Sequence, residues 1–297
     1  MIAGRRPRTF GQRLVDVGDG HGPSLSDWRT LMNDSYRNAK TFDTQGYLLV
    51  RSLFSQTQIA ELKAIVERIY RAWLAENRAL MIANRLVNMY GLTDTRYFLG
   101  EPEQRLALFD WIAQPGLALW LESLFGDTLY FHNTQLFFNP HDPGQAPYWH
   151  RDLQYSDVDD STQRAEQGRL LALHVRVPLI AERGMALVPG SHCRWDSELE
   201  RNVRFETNGY RQGDDLSGSK LIRLEPGDAL LFDAQMLHRG HYRDNAERLA
   251  FDICIGRYHP ATASFLDAAV LPSEAEMARL VDDRWYRRAW RVAAGMD

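Results

Sequence analysis

From about residue 128 the chain breaks into short runs of aromatic and β-branched residues, at 130–138, 170–177, 186–188, 221–224, 229–232 and 249–255. That pattern limits the possible folds more than any other feature. The runs are separated by Asn139-Pro140, Pro189-Gly190-Ser191 and Pro226-Gly227-Asp228, combinations that set turns. Several short strands with such breaks predict an antiparallel sandwich or barrel rather than a parallel α/β sheet. Ahead of them the pattern is helical. After a short strand at 46–50, Ser55 and Gln58 have capping-box spacing, and Phe54 with Ile59 fits a hydrophobic staple. Ile59, Leu62, Ile65, Val66, Ile69 and Trp73 then recur along one helix face. A second helical stretch at about 103–125 is interrupted at Pro115-Gly116 and stopped at Gly126. Beyond 262 the helical pattern returns, with Ser273 as a cap. The expected fold class is mainly β with flanking helices (α+β). It has a helical N-terminal part to about 127, a jelly-roll core at about 128–260 and a C-terminal helix at about 262–297. Residues 1–25 lack hydrophobic periodicity and read as a flexible arm, which leaves 26–297 as a single domain.

Composition excludes several functions. Charged residues make up 25% of the 297, with a net charge of -4 and a pI near 6.2, so there is no nucleic-acid footprint. No uncharged apolar run approaches the roughly 20 residues of a membrane span. The two cysteines, Cys193 and Cys254, are too few for a disulfide framework. Together with the lack of a signal-peptide pattern, they imply a cytoplasmic location. The expected partner is a small-molecule substrate, with no nucleic acid and no membrane; oligomeric state is left open.

Three pieces of sequence carry candidate chemistry. In His150-Arg151-Asp152, an extended backbone turns the first and third side chains to one side. Alone this is a weak signal in a chain with nine histidines, and a surface charge pair is the plainer reading. In the segment 224–240, a Pro-Gly-Asp turn launches an apolar strand, with His238 soon after it. Arg248 follows ten residues later among apolar neighbours, where a buried guanidinium needs an anionic partner. Two histidines and one carboxylate on one face of a metal, with positions left open, are what non-haem iron oxygenases require. A nearby arginine fork suits a carboxylate. The ordered set is far more specific than any member.

These residues resemble the phytanoyl-CoA dioxygenase family of iron(II)/2-oxoglutarate-dependent oxygenases. The matching motifs are Tyr148-Trp149-His150-Arg151-Asp152, Gly184-Met185-Ala186-Leu187-Val188-Pro189-Gly190-Ser191-His192, Pro226-Gly227-Asp228, Leu237-His238-Arg239-Gly240, and Arg248. The resemblance spans about residues 40 to 258 and implies a double-stranded β-helix (cupin-like) core. It also implies Fe(II), 2-oxoglutarate as co-substrate, and dioxygen. His150, Asp152 and His238 would be the metal ligands and catalytic residues, and Arg248 would hold the distal carboxylate of 2-oxoglutarate. Gln135 falls at a co-substrate contact, while Asn139 stands where many members have Lys. His174 falls near a position usually held by Trp beside the co-substrate. If its strand alternates, His174 and Arg176 share a face, either inward toward an anion or outward as an exposed polar face. Trp149, Tyr155 and Arg176 are the candidate substrate contacts, with Tyr90 and Tyr97 as further rim aromatics. Aromatics at strand ends also serve as core. Asp152 argues for hydroxylation, because family-type halogenases lack that carboxylate. Desaturation, epoxidation and rearrangement share the same oxidant.

Other readings compete. His241 rivals His238, which is preferred because it ends the apolar strand and has the family spacing to Arg248. His192 is expected to be structural; His132 could line the pocket, but a satisfied core histidine is the preferred reading. The letters at 150–153 match the start of a kinase catalytic loop, but the required Asn is replaced by Asp157 and no Gly-rich loop or strand Lys appears in order. The serious alternative is a non-catalytic jelly-roll binding protein. Residues 83–100 and the loop 141–147 are expected to shape the entrance.

Overall fold

The computed structural model describes residues 25–242, 245–263 and 265–296, so the arm expected at 1–25 lies almost wholly outside the described residues. Nine strands are found among them: β1 (Tyr47–Val50), β2 (Asn88–Tyr90), β3 (Tyr130–Phe138), β4 (Ala172–Pro178), β5 (Glu182–Leu187), β6 (Lys220–Leu224), β7 (Ala229–Asp233), β8 (His238–Gly240) and β9 (Leu249–Gly256). They form a six-stranded sheet, β1-β7-β4-β9-β3-β2, and a three-stranded sheet, β6-β5-β8. Every pairing is antiparallel. The result is a jelly-roll core of two sheets with flanking helices, not a closed barrel.

Strict alternation in the large sheet divides its two faces. On β4, Leu173, Val175 and Val177 join the main core, as do Phe251, Ile253 and Ile255 on β9. That core is completed by helices Gln56–Ala83, Pro102–Ile112, Pro115–Phe125 and Arg284–Ala293. The opposite face carries His174, Arg176, Asp252 and Cys254, and it looks toward the small sheet across a cavity. A second cluster, including Met185, Leu187, Leu230 and Phe232, packs the sheets together beside that cavity. Period-two patterning therefore does two jobs: one set of positions builds the core and the other furnishes a site.

Local signals explain the element ends. Ser55 caps Gln56–Ala83 with a complete capping box: its side chain accepts from Gln58 N, and the Gln58 side chain accepts from Ser55 N. Pro115 opens its helix, where a missing N–H costs nothing. Gly227 turns at φ 104, letting Asp228 accept hydrogen bonds from the backbone of Ser52 and Glu225. Beyond the core the expectation of one long C-terminal helix fails. From residue 260 the described residues form three short α-helices, Pro260–Ala263, Glu274–Met277 and Arg284–Ala293, with a 3-10 turn at Ala268–Val270, and Pro272 and the Ser273 capping box restart the chain between them.

Candidate active site

His150 and His238 lie far apart in sequence, yet their backbones pair directly. Each donates its N–H to the other's carbonyl at 3.0 Å, forming an isolated antiparallel bridge. Their ring centroids are 4.1 Å apart. Asp152 joins them because its backbone N–H is anchored to Ala234 O at 3.0 Å. One ligand atom from each of the three lies within 4.8 Å of the others. The Nε2 atoms of His150 and His238 stand 3.7 and 3.3 Å from Asp152 Oδ1. On the far side of each ring, Nδ1 faces a carbonyl: Tyr148 O at 3.2 Å and Met236 O at 3.0 Å. A carbonyl only accepts, so the proton belongs on Nδ1 and the Nε2 lone pair is free to bind a metal. Burial, helped by neighbouring His238, pushes His150 down to about 3, which keeps that imidazole neutral. Burial alone would raise the Asp152 carboxyl, but the hydrogen bond from His174 outweighs it and holds the group well below the usual carboxylate range. Two neutral nitrogens and one carboxylate oxygen on one side of a cavity fit an iron(II) ion.

The segment between the ligands is held from behind. Arg151 is 1% exposed and donates to Asp196 Oδ1 at 3.0 and 2.8 Å and to Ser191 O at 2.8 Å. It also bonds Gln235 O, while Asp196 receives Arg204 as well. Sequence reasoning missed this buttress, since Arg151 between His150 and Asp152 looks like a surface residue until its partners are known.

The ligands open into a cavity of about 590 Å³. Gln135 lines it, with Asn88 Nδ2 donating to its Oε1 at 3.0 Å. His174 and Arg176 face inward and are buried, so the exposed-face alternative is set aside. Neither is idle. His174 bridges Asp152 and Asp252, and Arg176 Nε bonds Asp252 Oδ1 at 2.9 Å. Arg248 has the anionic partner its burial demanded, with Nε 2.5 Å from Glu182 Oε1, while its Nη1 is buried with no partner. Gly240 makes room there: a Cβ at that position would lie 3.1 Å from Arg248 Nη1. An orphaned guanidinium nitrogen in a cavity suits a carboxylate such as the distal group of 2-oxoglutarate. Asp252 and Glu182 were not foreseen, although an acid inside an apolar strand such as β9 signals a buried ion pair.

Several expectations need adjustment. Trp149 does not line the cavity. With His150 facing the metal position, alternation turns Trp149 into a separate core cluster, where its Nε1 donates to Asp214 O at 2.9 Å. Tyr155 and Tyr90 line the mouth at 59% and 71% exposure, whereas Tyr97 is buried elsewhere. His132 lines the cavity and its Nε2 has no partner, so it is not a satisfied core histidine; burial pushes it down to about 3. His192 is buried in the turn after β5, as expected of a structural residue. His241 is absent from the ligand cluster. Asn139 donates to Asn245 O at 2.9 Å, tying the end of β3 to the loop before Arg248. Val87, Asn88 and Tyr90 contribute to the cavity wall, and none of 141–147 does.

A jelly roll with two histidines and a carboxylate converging at the mouth of such a cavity defines a mononuclear non-haem iron oxygenase. The profile of the phytanoyl-CoA dioxygenase (PhyH) family matches residues 42–248, and the chain belongs to that family. It is similar to an ectoine dioxygenase of Sphingopyxis alaskensis, at 25% identity over 232 residues and 72% of each chain. Its fold is like that of apo HygX from Streptomyces hygroscopicus, with a TM-score of 0.54, 14% identity and coverage of 74% and 85%. It is also like AviO1 from Streptomyces viridochromogenes Tue57, with a TM-score of 0.52, 18% identity and coverage of 77% and 96%. The protein is thus an enzyme, an iron(II)/2-oxoglutarate-dependent dioxygenase acting on a small molecule. No described helix is long and apolar enough to cross a membrane.

Proposed function

We propose that the enzyme hydroxylates an uncharged or cationic metabolite in a cytoplasmic biosynthetic setting, with release of succinate and carbon dioxide. The observation that carries this is the convergence of His150, Asp152 and His238 within 4.8 Å beside the unpartnered Nη1 of Arg248. His150, Asp152 and His238 would hold the metal, whose chemistry when bound is oxygen insertion coupled to decarboxylation of 2-oxoglutarate. The protein's part is placement. Arg248 grips the far carboxylate of the co-substrate, with Gln135 on the neighbouring strand. The rings of Tyr148 and Tyr155 flank His150, with centroids 5.1 and 5.6 Å from its ring. Asp152 occupies the position that a halide would need, which favours hydroxylation over halogenation. Desaturation, epoxidation and rearrangement remain the alternatives within this reading, and two unpaired cysteines agree with a reducing compartment.

The preference for an uncharged or cationic substrate comes from the charges lining the cavity. Besides the histidines they are Asp152, Arg176, Arg248 and Asp267. Asp152 serves the metal, Arg176 is matched by Asp252, and Arg248 is assigned to the co-substrate. Among the described residues no cation is left over for a phosphate or carboxylate on the substrate, while Asp267 and exposed Phe265 both line the rim. A carboxylate beside aromatic rings favours a cation or a polar neutral group. The test is substrate-stimulated succinate release from the iron-loaded enzyme across neutral, cationic and anionic metabolites. Ectoine, prompted by the name of the relatives, is included as a zwitterion, and because its carboxylate has no matched cation among the described lining residues it is expected to stimulate less than a neutral or cationic compound. Turnover confined to neutral or cationic compounds is expected; strongest stimulation by anionic ones would reject the charge argument. If the enzyme with ferrous iron and 2-oxoglutarate, without air, shows no visible charge-transfer band, the binding-protein alternative stands instead.

A further inference from the structure

A carboxylate can offer a metal one oxygen or two, and the difference decides how many coordination positions stay open. In this chain the two oxygens of Asp152 have different neighbours. Oδ1 faces the Nε2 atoms of His150 and His238, at 3.7 and 3.3 Å. Oδ2 points away from them to His174 Nε2, at 2.8 Å. The His174 ring cannot easily turn aside. Its Nδ1 is 3.0 Å from Asp252 Oδ2, and its face stacks on Phe232 with centroids 4.9 Å apart and planes 18° from parallel. Asp252 is itself fixed, 0% exposed, with Oδ1 bonded to Arg176 Nε at 2.9 Å and Arg176 lying over the Phe137 ring at 4.2 Å. His174, Asp252 and Arg176 are buried, so little water competes for the hydrogen bonds between them, while the Asp152 side chain is 26% exposed where it opens on the cavity.

We propose that His174 is a positioning residue that holds Oδ2 of Asp152, leaving Oδ1 as its single metal-binding oxygen, with Asp252 and Arg176 as the fixed backing of that clamp. The inference rests on the metal reading of His150, Asp152 and His238 but goes beyond it. It assigns a role to a side chain outside the ligand cluster. A carboxylate held to one oxygen in this way would leave more positions of a bound metal free for the co-substrate and dioxygen. The same line continues toward the co-substrate end, since Arg176 Nη1 is 3.8 Å from Glu182 Oε1 and Glu182 holds Arg248.

The test measures Mn²⁺ affinity anaerobically, by the loss of the free-ion electron paramagnetic resonance signal, in variants whose melting curves confirm a fold. His174→Gln places an amide N–H near the position of Nε2 and keeps the Asp152 contact. His174→Asn places it near Nδ1 and keeps the Asp252 contact only. The expected result is Mn²⁺ affinity about 10- to 100-fold weaker in His174→Asn and within about threefold of the parent in His174→Gln. If His174→Asn does not fold, His174→Phe preserves the stack on Phe232 and should show the same loss. Equal affinity in the Gln and Asn variants, or parent-like binding in His174→Asn or His174→Phe, overturns the clamp while leaving the metal site intact. A parent protein that binds no Mn²⁺ overturns both this inference and the metal reading beneath it.

Discussion

At the scale of single residues, the site depends on which nitrogen of each imidazole carries the proton. Tyr148 O and Met236 O accept from Nδ1 of His150 and His238, so each Nε2 is presented unprotonated before any ion arrives. His238 owes this to its backbone pairing with His150, whereas His241, three residues on, lies beyond β8 and outside the ligand cluster. His238→Ala should therefore weaken Mn²⁺ binding by at least about 100-fold, as loss of one of three protein ligands implies, and His241→Ala should change it less than about threefold. Calorimetric titration without air separates them; the opposite ranking would move the ligand to His241. That His150, Asp152 and His238 converge was legible in sequence because their spacing to Arg248 is distinctive. The partners that tune them were not. Asp252 and Glu182 are isolated acids whose meaning depends on which strand lies alongside, and antiparallel register is set by the whole fold.

Short elements around the site carry charge pairs that behave as pH-dependent fasteners. Helix Glu198–Phe205 supplies Arg204 to Asp196, and thus to the Arg151 buttress behind the ligands. Its own N-terminus is closed by Glu200, which accepts from Ser197 N at 2.7 Å and from both ends of the Arg194 fork at 2.6 Å. Burial opposes ionisation of Glu200, but these hydrogen bonds win and lower it from 4.5 to about 2. A carboxyl with a depressed folded-state value stabilises the protein above its unfolded value and loses that contribution as pH falls toward the folded one. Glu200→Gln should cost about 2 kcal/mol near neutral pH, and the gap to the parent should close between pH 4.5 and about 2. Urea melts of the apoprotein across that range provide the measurement, and a gap that stays constant down to pH 3 counts against the pair. Elements of this kind mark the limit of what the pattern reveals. β3 could be placed to the residue and the Ser55 cap was plain, because long periodic runs and capping chemistry are local signals. β2 and β8, three residues each, and the helix at 198–205 have too few positions to show a period, and β8 reads as His-Arg-Gly.

For the whole molecule, what matters is that the site is assembled from distant parts of the chain. His150 and Asp152 come from the link between β3 and β4, His238 opens β8 of the small sheet, and Arg248 sits just before β9 of the large one. Both sheets must be in place for metal and co-substrate to bind, and an unfolded chain cannot hold the three ligands together. Ligands that bind only the folded state stabilise it by mass action, by about 2.7 kcal/mol at a hundredfold excess over the dissociation constant. With each kcal/mol worth roughly 2–4 °C in a domain near this size, saturating Mn²⁺ and 2-oxoglutarate together should raise Tm by about 5–10 °C. Excess chelator should reverse the gain. 2-Oxoglutarate alone should contribute less, since its contact with the metal is then missing and Arg248 Nε is already committed to Glu182. Scanning calorimetry on the parent and on His238→Ala makes the comparison, because the variant should respond weakly to both ligands added together. A shift of equal size in the variant would show the ions binding elsewhere, and the two sheets would then not be joined through this centre.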